Sequence, residues 1–205
     1  MYDINFFKNS NKLKNKITKR LLNNSDYEDI IAELEALRNK SPYIYNIETT
    51  NYCNMKCIMC PRTIHMKRKN IWIEDKLFEI LTDKVKIHDQ KNIEDFWKWL
   101  EKEYKQPVKE VSENGFYFSV VSRHLVLHGF GEPFLDKKLI MRIELCTKKN
   151  IPTYFSCTPS AMTVEKAEKA MEAGLGVLKF SLDAMDERKI QKIRGKKANY
   201  SDAVK

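Results

Sequence analysis

No stretch of this sequence approaches the roughly 20 consecutive apolar residues needed to cross a bilayer. The start, Met1-Tyr-Asp-Ile-Asn-Phe-Phe-Lys8, also lacks a basic segment followed by an apolar one, so it does not read as a secretory leader. No membrane partner is expected, and the expected location is cytoplasmic. A disulfide framework is missing as well: there are five cysteines, an odd count, and three of them crowd together. Reduced thiols in such a compartment are read first as metal ligands or catalytic groups. The formal charge is +9, yet the lysines are scattered through helix-like segments rather than gathered in a block. The aromatic–basic interleaving of single-strand binders is not evident, so solvated helix faces explain the charge better than a nucleic-acid surface.

What is present is organised around Cys53-Asn-Met-Lys-Cys57-Ile-Met-Cys60-Pro61-Arg62, three thiols at C-x3-C-x2-C spacing after the strand-like run Tyr43 to Thr49. Such spacing lets several sulfurs address one centre. Three ligands at a four-coordinate metal leave one position open, as in catalytic rather than closed sites. Short cysteine-only spacers suit iron–sulfur clusters, which normally take four thiolates. A zinc site of Cys53, Cys57, Cys60 and His65 is the competing reading, because three cysteines and a histidine form a common structural zinc set.

With 205 residues and 42% hydrophobic content, the chain forms one or at most two domains with a sizeable core. Residues 1–24, rich in Lys and Asn, read as a loosely docked arm, and 1–40 as an N-terminal helical arm. Ser25-x-x-Glu28 has the capping-box pattern ahead of Ile30, Ile31, Leu34 and Leu37, and Pro42 ends that helix. After the cysteine loop, Asp75 is placed to cap a helix carrying Leu77, Phe78, Leu81 and Val85. Ile93, Phe96, Trp97, Leu100 and Tyr104 mark the apolar face of another, stopped by Pro107. Asn114-Gly115 between strand-like runs predicts a hairpin, so residues 88–121 read as a helix-and-hairpin insertion. Beyond it, strands at Leu125–His128, Pro152–Ser156 and Gly176–Ser181 alternate with helices at Lys137–Lys149 and Val164–Ala173. Thr163 is the expected N-cap of the second helix and Gly174 its stop. Alternation of this kind predicts parallel βαβ units in an α/β fold, a barrel or a doubly wound sheet.

In α/β barrels chemistry sits after the C-terminal strand ends. Here those ends run into the cysteine loop, His128-Gly-Phe-Gly131-Glu132-Pro133, Ser156-Cys157-Thr158-Pro159 and Ser181-Leu-Asp183. Carbonyls approached closely at glycine, plus a carboxylate, are suitable acceptors for an ammonium group. The alternative for Gly131-Glu132-Pro133 is a plain strand-ending turn. For Asp183 it is an ordinary helix cap, a role equally open to Asp186. His65, His124 and His128 read as structural histidines, and Cys146 as a small buried apolar residue.

The cysteine spacing, the preceding Glu48-Thr49-Thr50-Asn51, Pro61-Arg62 and Gly131-Glu132-Pro133 together resemble the signature of the radical S-adenosylmethionine (radical SAM) superfamily, over roughly residues 43–200. Phe130 stands where that family often has a first glycine. The resemblance implies a partial TIM-type barrel, with about four βα repeats here against the usual six, spanning 41–205. It implies a [4Fe-4S] cluster on Cys53, Cys57 and Cys60, with S-adenosyl-L-methionine on the fourth iron. Gly131, Glu132 and Pro133 would receive the cofactor's amino group, Met59 would lie beside its adenine, Ser181 and Asp183 would grip its ribose, and Arg194 would meet its carboxylate. The implied reaction is reductive cleavage to a 5′-deoxyadenosyl radical that abstracts hydrogen from a small-molecule or peptide substrate. The electron would come from a reductant such as flavodoxin or ferredoxin. Cys60-Pro61-Arg62 looks most like members with a SPASM/twitch-type auxiliary-cluster domain. Four repeats, and a helix just starting at Tyr200–Lys205, lead to the expectation of a truncated chain or one half of a split protein. The rival from another class is a zinc-stabilised basic module contacting nucleic acid.

Overall fold

A computed structural model describes residues 3–22, 27–105, 115, 119–120 and 122–204. Its centre is a three-stranded parallel sheet of β1 (Leu125–Val126), β2 (Thr153–Cys157) and β3 (Leu175–Phe180), in that order. The expected strand at Tyr43–Thr49 is reduced to one parallel bridge, Asn46 to Val126, held by Val126 N–H to Tyr45 O and Ile47 N–H to Val126 O, both 2.8 Å. It still occupies the edge position beside β1. The chain leaves the sheet to pair with the returning segment: Thr50 forms an antiparallel bridge with Trp72, flanked by Ile73 N–H to the Thr49 carbonyl at 2.9 Å and Asn51 N–H to the Ile71 carbonyl at 3.3 Å.

One face of the sheet is covered by helices. Ile47, Leu125, Leu127, Phe155 and Cys157 pack there against Phe78 of α4 (Asp75–Asp83), Leu139, Ile143 and Cys146 of α6 (Leu139–Lys148), and Ala170 of α7 (Val164–Glu172). This apolar burial is the main source of stability and sets the strand register. Arg142 of α6 is 1% exposed, and its cost is offset by Asp136 at 2.9 Å, the Ile73 carbonyl at 2.7 Å and the Phe78 ring. Thr163 caps α7, accepting from Lys166 N–H. Gly174 follows the helix with φ +98°, the left-handed turn that a side chain disfavours. The cap of α4 is Glu74, not Asp75; Asp75 lies inside the first turn and bonds Lys138 and Arg142.

Two further expectations are corrected. The N-terminal segment is not loosely docked: α1 (Ile4–Leu22) lays Ile4 and Phe7 on Phe96 and Leu100 of α5 (Gln90–Tyr104). Phe7 meets the Phe96 ring edge-on at 5.6 Å, and Asn11 bonds Glu103 and Tyr104. Its apolar residues are few but fall on one side, enough to pair with an aromatic stripe. The hairpin at Asn114-Gly115 is also not found where the chain is described: residues 115, 119, 120, 122 and 123 are helical. The His124 amide donates to the Val120 carbonyl at 2.9 Å, a helical spacing that overrides the β-propensity of the local run. Val120 from this helix packs on the other face of the sheet, with Val126, Tyr154 and Val177. Ser25, Asn114 and Pro107 lie outside the described residues, as does the capping box that depends on Ser25.

α2 (Tyr27–Ala36) carries buried Ile30. The cysteine loop leads into the one-and-a-half-turn α3 (Pro61–His65), and the chain closes with α8 (Glu187–Arg194) and α9 (Tyr200–Ala203). Among the described residues no helix is long and apolar enough to cross a membrane.

Candidate active site at the strand ends

The cysteine loop is braced from three sides. Asn51, 1% exposed, accepts Ile71 N–H on its side-chain oxygen at 2.6 Å and donates to the Lys69 carbonyl at 2.9 Å, tying the loop entrance to the returning segment. Arg62 reaches back to the Asn51 carbonyl at 3.0 Å, and the Thr63 hydroxyl donates to the Cys57 carbonyl at 3.0 Å. On the far side, Lys56 and Ile58 N–H donate to the Arg194 and Ile193 carbonyls, at 3.1 and 2.9 Å. The last turn of α8 has carbonyls without helical partners, and the loop satisfies them.

All three thiols are free and share one small apolar cluster with Met55, Ile190, Ala184, Ala198 and Tyr200. They are not drawn to a common point: among the described residues no three His, Cys, Asp or Glu groups stand close enough to hold a metal ion. This applies equally to a set including His65, which is exposed at the end of α3. Burial raises the Cys53 and Cys57 thiols above their ordinary range; Arg194 opposes the shift at Cys57, and Met55 N–H and Arg62 oppose it at Cys53. Three soft donors on one braced loop, with two guanidinium groups beside them, are a donor set suited to an iron–sulfur cluster, whose thiolates carry negative charge.

The glycine loop is joined to the cysteine loop directly. Glu132 N–H donates to the carbonyl of Tyr52, the residue before Cys53, at 2.7 Å. Gly131 passes so close to Thr50 that a Cβ there would lie 1.9 Å from the Thr50 carbonyl oxygen. Only glycine allows this approach. Phe130, at the position that departs from the resemblance, is exposed, and its N–H donates to Glu48 Oε1 at 2.6 Å; Glu48 also pairs with Arg68. Glu132 is 3% exposed, and its Oε2 accepts both the amide and the hydroxyl of Thr158, at 2.9 and 3.0 Å. Burial raises its carboxyl above the usual range, the Thr158 bonds working against that. Oε1 has only a 3.4 Å contact with Phe134 N–H and retains acceptor capacity. Pro133 is buried and opens the short 3-10 turn Pro133–Leu135.

The remaining predicted residues are distributed around this junction. Met59 is 56% exposed on the loop. The Ser181 amide donates to the Cys157 carbonyl, and its hydroxyl shares a 2.8 Å bond with Ser156. Asp183 does not cap the helix after β3. Asp186 does, accepting Lys189 N–H at 2.8 Å, while Asp183 is ion-paired with Arg194. The other arm of Arg194 lies 3.7 Å from Cys57 Sγ. Sequence reasoning missed Thr158, Asn51 and the hold of α8 on the cysteine loop. Thr158 stood in one of the strand endings already singled out and Asn51 in the Glu48–Asn51 run ahead of the thiols; the hold of α8 carries no sequence signal, because it arises from backbone groups brought together by the fold.

No curated protein matches the chain. Among solved structures, BtrN in complex with AdoMet and 2-DOIA is similar at 15% identity and a TM-score of 0.46, over 72% of this chain and 48% of that one. TYW1 with a lysine-pyruvate adduct bound is similar at 22% identity and a TM-score of 0.41, over 75% and 45%. The chain thus matches about half the length of each. The model of the Radical SAM superfamily matches residues 47–205, from the bridge segment through the cysteine loop, the glycine loop and all three strands. With most of its length so matched, the chain belongs to the radical SAM superfamily, a family of enzymes that use a [4Fe-4S] cluster and S-adenosyl-L-methionine.

Proposed function

We propose that Cys53, Cys57 and Cys60 hold a [4Fe-4S] cluster in a partial TIM-type barrel, and that S-adenosyl-L-methionine lies across the junction of the cysteine and glycine loops. The observation that carries this is the 2.7 Å bond from Glu132 N–H to the Tyr52 carbonyl, which holds the acceptor loop against the residue preceding the first thiol. When bound, the pair would supply reductive cleavage of S-adenosyl-L-methionine and, through it, radical hydrogen abstraction from substrate.

The chain's own residues position and shield. Gly131 opens the backbone for close approach, and Glu132 Oε1 with the neighbouring carbonyls accepts from the cofactor's ammonium group. The exposed Met59 offers an apolar surface to the adenine. Ser181 and Asp183 supply hydroxyl and carboxylate partners for the ribose. Arg194 lies between Asp183 and Cys57, where its charge offsets that of the thiolates and meets the cofactor carboxylate. The electron comes from a cytoplasmic reductant such as flavodoxin or ferredoxin, and the substrate is a small molecule or peptide. Cys60-Pro61-Arg62 supports kinship with members that carry a SPASM/twitch-type domain.

Anaerobic reconstitution with iron and sulfide tests the reading. About four irons per chain with broad visible absorbance are expected, both lost in Cys57→Ala. Stoichiometric zinc without that absorbance would favour the Cys53, Cys57, Cys60 and His65 module and sink the proposal.

A further inference from the structure

The edge segment and the glycine loop meet through side chains where a sheet would use backbone. The ladder between them is regular as far as Ile47 N–H to the Val126 carbonyl. Beyond it two side chains take over: Asn46 Nδ2 donates to the His128 carbonyl at 2.7 Å, and Glu48 Oε1 accepts Phe130 N–H at 2.6 Å. Positions 46 and 48 share one face of an extended chain, so both reach the same loop. Backbone pairing resumes only at Glu132 N–H to the Tyr52 carbonyl. The loop is held off the segment by the length of a glutamate.

Glu48 is itself fixed. Its other oxygen pairs with Arg68, whose guanidinium also lies 5.9 Å from the centre of the exposed Phe130 ring. Arg68 belongs to the returning segment, which Asn51 ties down through the Lys69 carbonyl and Ile71 N–H. The carboxylate fills the space in front of Gly129, where a Cβ would lie 2.7 Å from Oε1. A bond from an amide to a carboxylate is charge-assisted, about twice as strong as a neutral one. In a trans peptide the carbonyl points opposite to the N–H. Anchoring Phe130 N–H on Glu48 therefore turns the Gly129 carbonyl away from the edge segment, and anchoring Glu132 N–H on Tyr52 does the same for the Gly131 carbonyl. Among the described residues neither carbonyl is taken by a donor. Two acceptors are left, both oriented by residues outside the glycine turn.

We propose that Glu48 is a positioning residue for cofactor binding: with Arg68 as its counter-ion it sets the Phe130 peptide, and so presents the loop's carbonyls to the ammonium group of S-adenosyl-L-methionine. It rests on the proposed function for the identity of the ligand. Glu48 acts through the loop rather than as a contact. The same arrangement accounts for Phe130: only its N–H is used, and its exposed side chain stands beneath Arg68, so a residue larger than glycine fits there.

The test joins calorimetry of the iron-loaded full chain with NMR of the iron-free one, nitrogen-labelled at phenylalanine. The Phe130 amide signal, identified by its loss in Phe130→Tyr, should move upfield in Glu48→Ala and stay in place in Glu48→Gln. In calorimetry Glu48→Ala should weaken S-adenosyl-L-methionine binding about tenfold or more at unchanged stoichiometry. Glu48→Gln, which keeps the acceptor, should stay within about threefold of the parent. Arg68→Gln, at an exposed site, should weaken binding several-fold and decides the matter if Glu48→Ala does not fold. Gly129→Ala drives the carboxylate from its place and should match Glu48→Ala; in a Glu48→Ala background it should cost little more, because the space is then open. Fewer sites of parental affinity in Glu48→Ala would mean that the residue only supports the fold. That result, an equal loss in Glu48→Gln, undiminished affinity in Arg68→Gln, additive losses with Gly129→Ala, or an unmoved Phe130 amide would overturn the inference. A loaded parent that does not bind the cofactor sinks the enzyme reading and this inference together; a parent that binds it, with Glu48→Ala binding equally well, sinks this inference alone.

Discussion

The carboxylate of Glu132 and the backbone and hydroxyl of Thr158 close the gap between the loop after β1 and the end of β2, through bonds of 2.9 and 3.0 Å at one oxygen. Glu132 is thereby held by β2 while its own amide is held by Tyr52 of the cysteine loop. Three segments distant in sequence meet on one residue.

Thr158→Val removes one of those two bonds and leaves a buried carboxylate oxygen less satisfied. Stability should fall by about 1–3 kcal/mol in urea unfolding. Thr158→Ser, which retains the hydroxyl, should recover most of it. Equal losses in both variants would mean that methyl packing, not the bond, is what matters.

Gly131→Ala places a methyl group into the Thr50 backbone, which cannot rotate away as a side chain would. The loops must separate, at a cost of about 1–3 kcal/mol or more. Binding of S-adenosyl-L-methionine, followed by calorimetry, should weaken in the same variant even where the fold survives. A variant with parental stability and affinity would show that the loops are not this tightly joined.

Thiol labelling should divide the cysteines. Cys146 and Cys157 are 0% and 1% exposed, and burial pushes both thiols up to about 12. Near neutral pH their thiolate fraction is about one in ten thousand or less, so maleimide should leave them untouched in the native chain and reach them only in denaturant. Mass spectrometry should find native label confined to Cys53, Cys57 and Cys60. Iron loading should protect those three.

His128 sets a pH dependence. Its folded pKa, about 4, is depressed from the ordinary 6.5 by burial and by Lys179. Between those values the unfolded chain binds a proton that the folded chain refuses, so this contribution to stability is present above 6.5 and is lost as the pH falls toward 4. The slope from this one group is up to about 1.4 kcal/mol per pH unit. In His128→Gln the slope over that window should flatten. An unchanged slope would assign the acid sensitivity to other groups.

Much of the architecture was legible because it depends on periodicity. Helices α4 to α7 and strands β2 and β3 follow apolar spacing that solvent exclusion alone enforces. The insertion was not legible. Asn114-Gly115 and the β-branched run after it favour a hairpin locally, but the residues described there are helical and place Val120 on the sheet. The N-terminal arm was expected to be helical, but its docking was not legible for a similar reason: a few apolar residues suffice when Phe96, Trp99 and Leu100 of α5 wait to receive them.

By itself the sequence determined the chemistry-bearing set: three thiols at fixed spacing, a glycine–glutamate–proline turn, and polar residues at the ends of alternating strands. Such identities are properties of single residues and short spacings, which no fold can alter. The tertiary structure alone decided their relations. It joined the glycine loop to Tyr52, turned Glu132 toward Thr158, committed Arg194 to Asp183 and Cys57, and set Glu48 between Phe130 and Arg68. These depend on strand register and on backbone groups left unpaired at helix and strand ends, and both are set by the packing of the whole sheet against its helices.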